Sequence, residues 1–176
     1  MTKHTVHYIF LSFLLLGMAT GCKEEPKTPE ETIITTFYLI RHAEKDRTDP
    51  SNSDPELNQD GLDRALKWAE VFDPIALDAI YATNYQRTTM TAAPASIKKD
   101  IEIEYYDPNS VDVGYFKQTH KGHNVLIVGH SNSTPDLVNK LLEEEKYEAM
   151  DDSDNSTLFI VRFINDTKTD LQLKMD

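Results

Sequence analysis

The sequence has little of what several classes of protein require. Its 176 residues include a single cysteine, so neither an internal disulfide framework nor a cysteine-rich zinc site can form. The extended apolar stretch at residues 8–18 is too short to cross a bilayer. Basic residues are outnumbered, with 18 Lys and Arg against 30 Asp and Glu. The net charge of −12 disfavours nucleic acids and anionic lipid surfaces as partners.

The N-terminal segment has the features of an export signal. Lys3 precedes the apolar stretch, and the small residues of "ATGC" lead to Cys22. This pattern resembles a bacterial lipobox, although an ordinary secretory signal with a chance cysteine is the alternative. A solitary thiol in an exported chain otherwise has no partner. We therefore expect residues 1–21 to be a lipoprotein signal peptide and Cys22 to anchor the protein by lipid to the bacterial cell envelope, in the periplasm or on the surface.

The remaining sequence divides into a tether and one globular domain. Residues 22–32 are charged, contain proline and have no apolar face, which predicts a flexible tether. From residue 33 to 176, short apolar runs alternate with helical patterns, which favours an α/β fold with a mostly parallel sheet. The strands are predicted at 34–40, 78–82, 101–105 and 124–129, and the C-terminal residues are predicted to form a hairpin at the sheet edge.

The predicted helices follow from apolar spacing and capping residues. Asn58 caps a first helix that presents Leu62, Ala65, Leu66, Ala69 and Phe72 to the core. A second helix begins near Asn84, and Pro94 is expected to break or kink it. A third is predicted over 111–119, and Thr134 opens a fourth. The acidic segment 151–156, "DDSDNS", is interpreted as a solvated loop because it lacks the glycine and glutamate of an EF-hand.

Chemically active side chains follow the predicted strands where each strand ends. They are Arg41 and His42 after the first strand, Thr83 and Arg87 after the second, Asp107 after the third, and His130 and Ser131 after the fourth. In open parallel α/β sheets, ligands bind beyond these carboxyl ends. Two guanidinium groups facing one point would repel each other without an anion between them, and phosphate is the obvious anion.

Four segments resemble the motifs of a known family in order and spacing. "LIRHAEK", "PELNQDGLDRA", "IYATNYQRTTMTA" and "VGHSNS" are similar to the motifs of the histidine phosphatase superfamily. The resemblance implies a phosphoglycerate mutase-like, three-layer α/β sandwich with a mostly parallel central sheet. It also implies a phosphohistidine mechanism that uses no metal and no other cofactor.

The resemblance also implies a role for each matching residue. His42 is the expected nucleophile, and Arg41, Arg87 and His130 are expected to bind the phosphoryl group. The nearby positive charges should lower the pKa of His42 and keep it neutral. Ala43 stands where the family commonly has glycine.

Three further positions have supporting or alternative roles. Glu44 and Thr83 match positions that support the pocket, and for Glu44 we expect a salt bridge outside it. Ser131 either lies at a helix N-terminus that offers amides to phosphate or simply belongs to the helix cap.

The sequence offers one candidate proton donor and one candidate metal site. Asp107 is the candidate general acid for poor leaving groups, but it is equally a turn residue before Pro108. The histidines His42, His120, His123 and His130 offer an alternative metal site. No HExxH or CxxC pattern is present, so we expect no metal.

The sequence therefore predicts an envelope-anchored phosphatase that hydrolyses phosphomonoesters of small molecules. Mutase activity is disfavoured because the chain has little room for insertions that enclose a sugar substrate. Two alternatives stay open: a non-catalytic surface lipoprotein that binds a phosphorylated ligand, and a phosphohistidine-specific phosphatase.

Overall fold

The computed structural model describes residues 31–165 and 167–175. These residues form a mixed six-stranded sheet and the helices that pack on it. The strands are β1 (Ile34–Arg41), β2 (Ala79–Ala82), β3 (Ile103–Tyr105), β4 (Asn124–Gly129), β5 (Thr157–Ile164) and β6 (Thr167–Lys174). The helices are α1 (Gln59–Val71), α2 (Gln86–Lys99), α3 (Val113–Thr119) and α4 (Ser133–Leu142). The predicted signal peptide, Cys22 and most of the tether lie outside the described residues.

The strand order is β3-β2-β4-β1-β5-β6. The first four strands in this order are parallel, and β5 and β6 are antiparallel additions at one side. This topology confirms the predicted mostly parallel sheet and its C-terminal hairpin. β3 begins two residues later than predicted, at Ile103.

The sheet is covered by helices on both faces, which gives three layers. Successive residues of β1 point to opposite faces because a strand has a period of two. Tyr38 and Ile40 pack in one buried cluster with Trp68 of α1 and Ala92 of α2. A second cluster contains Phe37 and Leu39 of β1 with side chains of α3 and α4, namely Phe116, Leu137, Val138, Leu141 and Leu142. The fourth helix, predicted to open at Thr134, therefore packs its apolar side chains against the sheet.

Two helix predictions were wrong in part. Leu62 and Leu66 are 39% and 58% exposed, whereas Ala65, Ala69 and Phe72 are buried as predicted, together with Trp68. Helix α2 continues through Pro94, so the predicted break was wrong, whereas the alternative of a kink stays a prediction. Buried neighbours on the same helix hold α2 against the core, and tertiary packing of this kind overrides local propensity. Within the described residues, no helix has the length and apolar character needed to cross a bilayer.

The strand register brings the carboxyl ends of the parallel strands together. Arg41 at the end of β1 pairs with Gly129 of β4, and Val128 of β4 pairs with Ala82 of β2. Ala82 in turn pairs with Tyr105 of β3. The residues that follow these strands therefore emerge side by side at one edge of the sheet.

Candidate active site

A cavity of about 420 Å³ lies at this edge. Its lining includes all six side chains predicted for catalysis or phosphate binding: Arg41, His42, Arg87, Asp107, His130 and Ser131. It also includes Lys45, Tyr85 and Asp152, which sequence reasoning did not single out. A cavity of this size suits a small molecule or one modified side chain.

His42 is held as a neutral imidazole with a defined hydrogen position. Its Nδ1 lies 2.7 Å from the carbonyl oxygen of Ala43, and because a carbonyl only accepts, Nδ1 carries the hydrogen. Burial, together with the positive charges of Arg41 and Arg87, lowers the pKa of His42 to about 3. The ring is 3% exposed but still lines the cavity, and its Nε2 keeps the lone pair that a nucleophile needs.

His130 stands edge-on to His42, with 5.5 Å between the ring centroids. Its Nε2 lies 2.8 Å from the hydroxyl oxygen of Thr83, and this hydrogen bond fixes the orientation of the ring. Thr83 is itself 3.1 Å from the hydroxyl of Thr88. Burial and the charge of Arg87 lower the pKa of His130 to about 4, so this second imidazole is also neutral. Thr83 thus supports the site without lining the cavity.

Arg41 is buried at the end of β1 and is 2% exposed. One of its terminal nitrogens donates to the carbonyl oxygens of Asp151 and Asp154, at 2.9 and 3.2 Å. The other donates to Oδ1 of Asp152 at 2.7 Å. Its Nε is buried without a hydrogen-bond partner among the described residues. Because buried donors are normally satisfied, this guanidinium has donor capacity left for a bound acceptor.

Arg87 enters the cavity from the first turn of α2. Its guanidinium lies 4.4 Å from the ring centroid of Tyr85, a cation–π contact, and one terminal nitrogen is 3.3 Å from Asp54. Its Nε, like that of Arg41, is buried without a partner in the described part of the chain. Tyr85 also packs edge-on against His130 at 5.1 Å, so one aromatic ring orients two pocket residues.

Asp107 and Ser131 lie at the rim of the cavity. The carboxylate of Asp107 accepts from the backbone N–H of Asn109 and from the hydroxyl of Ser110, and these bonds lower its pKa. This geometry is that of a turn residue, the alternative interpretation from the sequence. Ser131 precedes the cap position of α4, which Asn132 occupies without a side-chain bond.

Glu44 points away from the cavity. Its two carboxylate oxygens lie 2.7 and 3.0 Å from Nε of Arg64 in α1, in the type of salt bridge that the sequence predicted. Gly61 of α1 lies directly against the backbone of Glu44, where an added Cβ would be 2.1 Å from the carbonyl oxygen. The helix and the segment after His42 are therefore in close contact because this position is glycine.

The segment 151–155 corrects a sequence interpretation. It was expected to be a solvated loop, yet it supplies three acceptors to Arg41. Its Asn155 is buried and donates to the carbonyl oxygen of His42 at 2.7 Å. No local pattern in "DDSDNS" indicates this, since the contacts span more than 100 residues of sequence.

Comparison with known proteins agrees with this architecture. The family model of the histidine phosphatase superfamily (branch 1) matches residues 37–108. No curated protein sequence matches the chain significantly. A structure assigned as the phosphohistidine phosphatase SixA from Agrobacterium tumefaciens is 20% identical, with a TM-score of 0.57 over 79% of this chain and 97% of that one.

Two further solved structures share the fold. Phosphoserine phosphatase from Entamoeba histolytica, in complex with 3-phosphoglyceric acid, is 15% identical, with a TM-score of 0.56 over 77% of this chain and 97% of that one. Phosphoglycerate mutase from Bacillus anthracis is 13% identical, with a TM-score of 0.60 over 81% of this chain and 93% of that one. Residues 37–108 therefore match the histidine phosphatase superfamily, and the chain has the fold of phosphoglycerate mutase-like proteins.

Proposed function

We propose that the chain hydrolyses phosphomonoesters of small molecules through a phosphohistidine formed on His42, without a metal ion. The family match and the solved neighbours support a phosphatase. The observation that carries the finer proposal is the state of His42. It is neutral, its Nδ1 is committed to a carbonyl, and it shares one cavity with Arg41 and Arg87.

In the first step, the Nε2 lone pair of His42 attacks phosphorus and the bond to the leaving-group oxygen breaks. Charge spreads over the three remaining phosphoryl oxygens, where Arg41 and Arg87 stabilise it. Neutral His130 donates one hydrogen bond to one of these oxygens, which act as acceptors. In the second step, water attacks phosphorus, the P–N bond breaks, and its electron pair returns to Nε2 as inorganic phosphate leaves.

The leaving oxygen needs a proton, and Asp107 is the proposed donor. Without a phosphoryl group beside it, Asp107 has a lowered pKa and is a carboxylate at neutral pH. A phosphoryl dianion bound beside it would raise that pKa by like-charge repulsion and allow it to carry the proton. The same carboxylate would then take a proton from the attacking water.

A second candidate function is hydrolysis of phosphohistidine. The hydrogen bonds that hold Asp107 ionised favour substrates whose leaving group needs little help from an acid, and imidazole is such a group. A neighbour assigned as SixA shares the fold. Comparing turnover of a phosphohistidine peptide with that of an alkyl phosphate separates the two functions.

The central experiment measures hydrolysis of p-nitrophenyl phosphate by the full-length chain with excess chelator. We expect turnover in wild type, and none in His42→Ala. Rapid quenching should trap an acid-labile, base-stable phosphoryl group that the variant lacks. A wild-type protein that binds phosphate but turns over no phosphorylated substrate would instead be a non-catalytic binding lipoprotein.

The envelope location is proposed from the sequence alone. "ATGC" before an acidic, proline-containing segment supports a lipid anchor at Cys22. Labelled palmitate should be incorporated by the wild-type chain in a bacterial host and not by Cys22→Ser. Equal labelling of both would disprove the anchor.

A further inference from the structure

We propose that Asp152 is a resident counter-anion that competes with phosphate for Arg41 and so sets the affinity of the site for its product. This inference rests on the phosphate-binding role proposed for Arg41. The carboxylate of Asp152 lines the same cavity as His42 and lies 2.7 Å from Arg41. A phosphoryl group bound through Arg41 therefore meets an existing negative charge.

The position of Arg41 does not depend on that charge. Its other terminal nitrogen donates to the backbone carbonyls of Asp151 and Asp154. These neutral acceptors, together with burial of the side chain, fix the guanidinium in place. Asp152 contributes one more acceptor atom to Arg41 and a full negative charge to the cavity wall.

Asp152 also differs from the carboxylate that pairs with Arg87. Asp54 lies farther from Arg87, at 3.3 Å. It also accepts a hydrogen bond from the backbone N–H of Gln86, so it stabilises the first turn of α2. In the described part of the chain, the side-chain partners of Asp152 are Arg41 and Arg47, at 2.7 Å each. Asp152 is 65% exposed, so water can solvate its carboxylate when phosphate takes over Arg41.

This arrangement has a direct consequence for ligand affinity. Phosphate must either displace the carboxylate from Arg41 or bind beside it, and both cost free energy. Removing the charge while keeping an oxygen acceptor should therefore tighten anion binding. A purely positional role predicts the opposite, because a misplaced Arg41 would bind phosphate more weakly.

The test is calorimetric titration of the full-length protein with tungstate, a tetrahedral oxyanion, at neutral pH. We expect Asp152→Asn to bind tungstate about two- to fivefold more tightly than wild type, the range of a solvent-exposed ion pair. Asp152→Ser, which also removes the charge, should shift affinity in the same direction. Inorganic phosphate should likewise become a stronger product inhibitor of both variants.

Asp46→Asn is the matched control. Asp46 lines the neighbouring cavity with Asp152 and not the cavity that contains His42. Its carboxylate accepts the N–H of Thr48, a bond that an amide oxygen retains. This variant loses the same formal charge nearby and should bind tungstate as wild type does.

The outcomes separate this inference from the proposed function. If wild type binds tungstate and the Asp152 variants bind it equally or more weakly, the counter-anion role of Asp152 is overturned. The proposed phosphate site is then unaffected. An equal gain in Asp46→Asn would also overturn the counter-anion role, since any lost charge would then have the same effect. A failure of wild type and all variants to bind would overturn the phosphate site itself.

Discussion

At the scale of the residue, the site depends on keeping two imidazoles neutral beside two guanidinium groups. Burial removes water from His42 and His130, and the arginine charges further oppose their protonation. The carbonyl of Ala43 then decides which nitrogen of His42 keeps its lone pair. The nucleophilic role proposed for His42 therefore depends on desolvation and one backbone hydrogen bond.

Asp107→Asn tests the proposed proton donor at this scale. If Asp107 supplies the proton, the variant should lose about 10²–10⁴-fold in kcat on an alkyl phosphate, whose leaving group is poor. The loss should be small on p-nitrophenyl phosphate, whose phenolate leaves readily. Parallel kcat measurements on the two substrates check this, and equal losses would identify Asp107 as a turn residue only.

Sequence reasoning located some of these residues and not others, for a physical reason. Arg41, His42, Arg87 and His130 follow strands or open a helix, so topology alone brings them to one edge. Asp152 reaches Arg41 across 111 positions of sequence, and its partner is set by loop conformation. Contacts between a strand end and a distant loop produce no periodic pattern in the sequence.

At the scale of the element, close contact between α1 and the segment after β1 holds the residues that follow His42 in place. Asn58 caps α1 through the N–H of Gly61, and its own N–H donates to the carbonyl of Glu44. Arg64 of the same helix holds the side chain of Glu44. The cap was predictable from sequence, whereas the exposure of Leu62 and Leu66 was not, because Trp68 packs into the core beside Ala65 and Ala69 in place of these leucines.

Gly61→Ala should disrupt this contact. The new Cβ would lie 2.1 Å from a backbone oxygen that cannot move independently, so we expect a loss of about 1–3 kcal/mol in the free energy of unfolding. Urea denaturation measures the loss. Gly114→Ala in α3 is the control: its Cβ would approach only the side chain of Asp112, at 3.3 Å, and the higher helix propensity of alanine opposes any cost of that contact, so stability should stay equal or rise by up to about 1 kcal/mol. Equal effects of the two substitutions would contradict the proposed close packing.

At the scale of the whole molecule, an acidic protein maintains a local cationic cavity. The net charge of −12 opposes the approach of anions, whereas Arg41, Arg87 and Lys45 line the cavity. Salt screens the distant surface charges more than the short contacts inside the cavity. The sequence predicted this contrast, because acidic residues dominate the composition and the arginines follow strand ends.

Acidification should destabilise the fold through the two site histidines. Their pKa values are about 3 and about 4 in the folded chain, against 6.5 ordinarily, so between pH 6.5 and 4 the unfolded chain binds more protons. The free energy of unfolding should therefore fall with decreasing pH, by up to about 1.4 kcal/mol per pH unit for each histidine. Urea denaturation at pH 7, 6 and 5 measures this slope. It should be shallower in the double variant His42→Gln, His130→Gln, and an unchanged slope would refute the assignment.

The anchoring of Arg41 and His42 by residues 151–155 bears on how the chain is made. During synthesis the ribosome releases Arg41 and His42 more than 100 residues before the segment that contacts them. A nascent chain that stops short of Asp151 therefore lacks the hydrogen bonds that this segment gives to both residues.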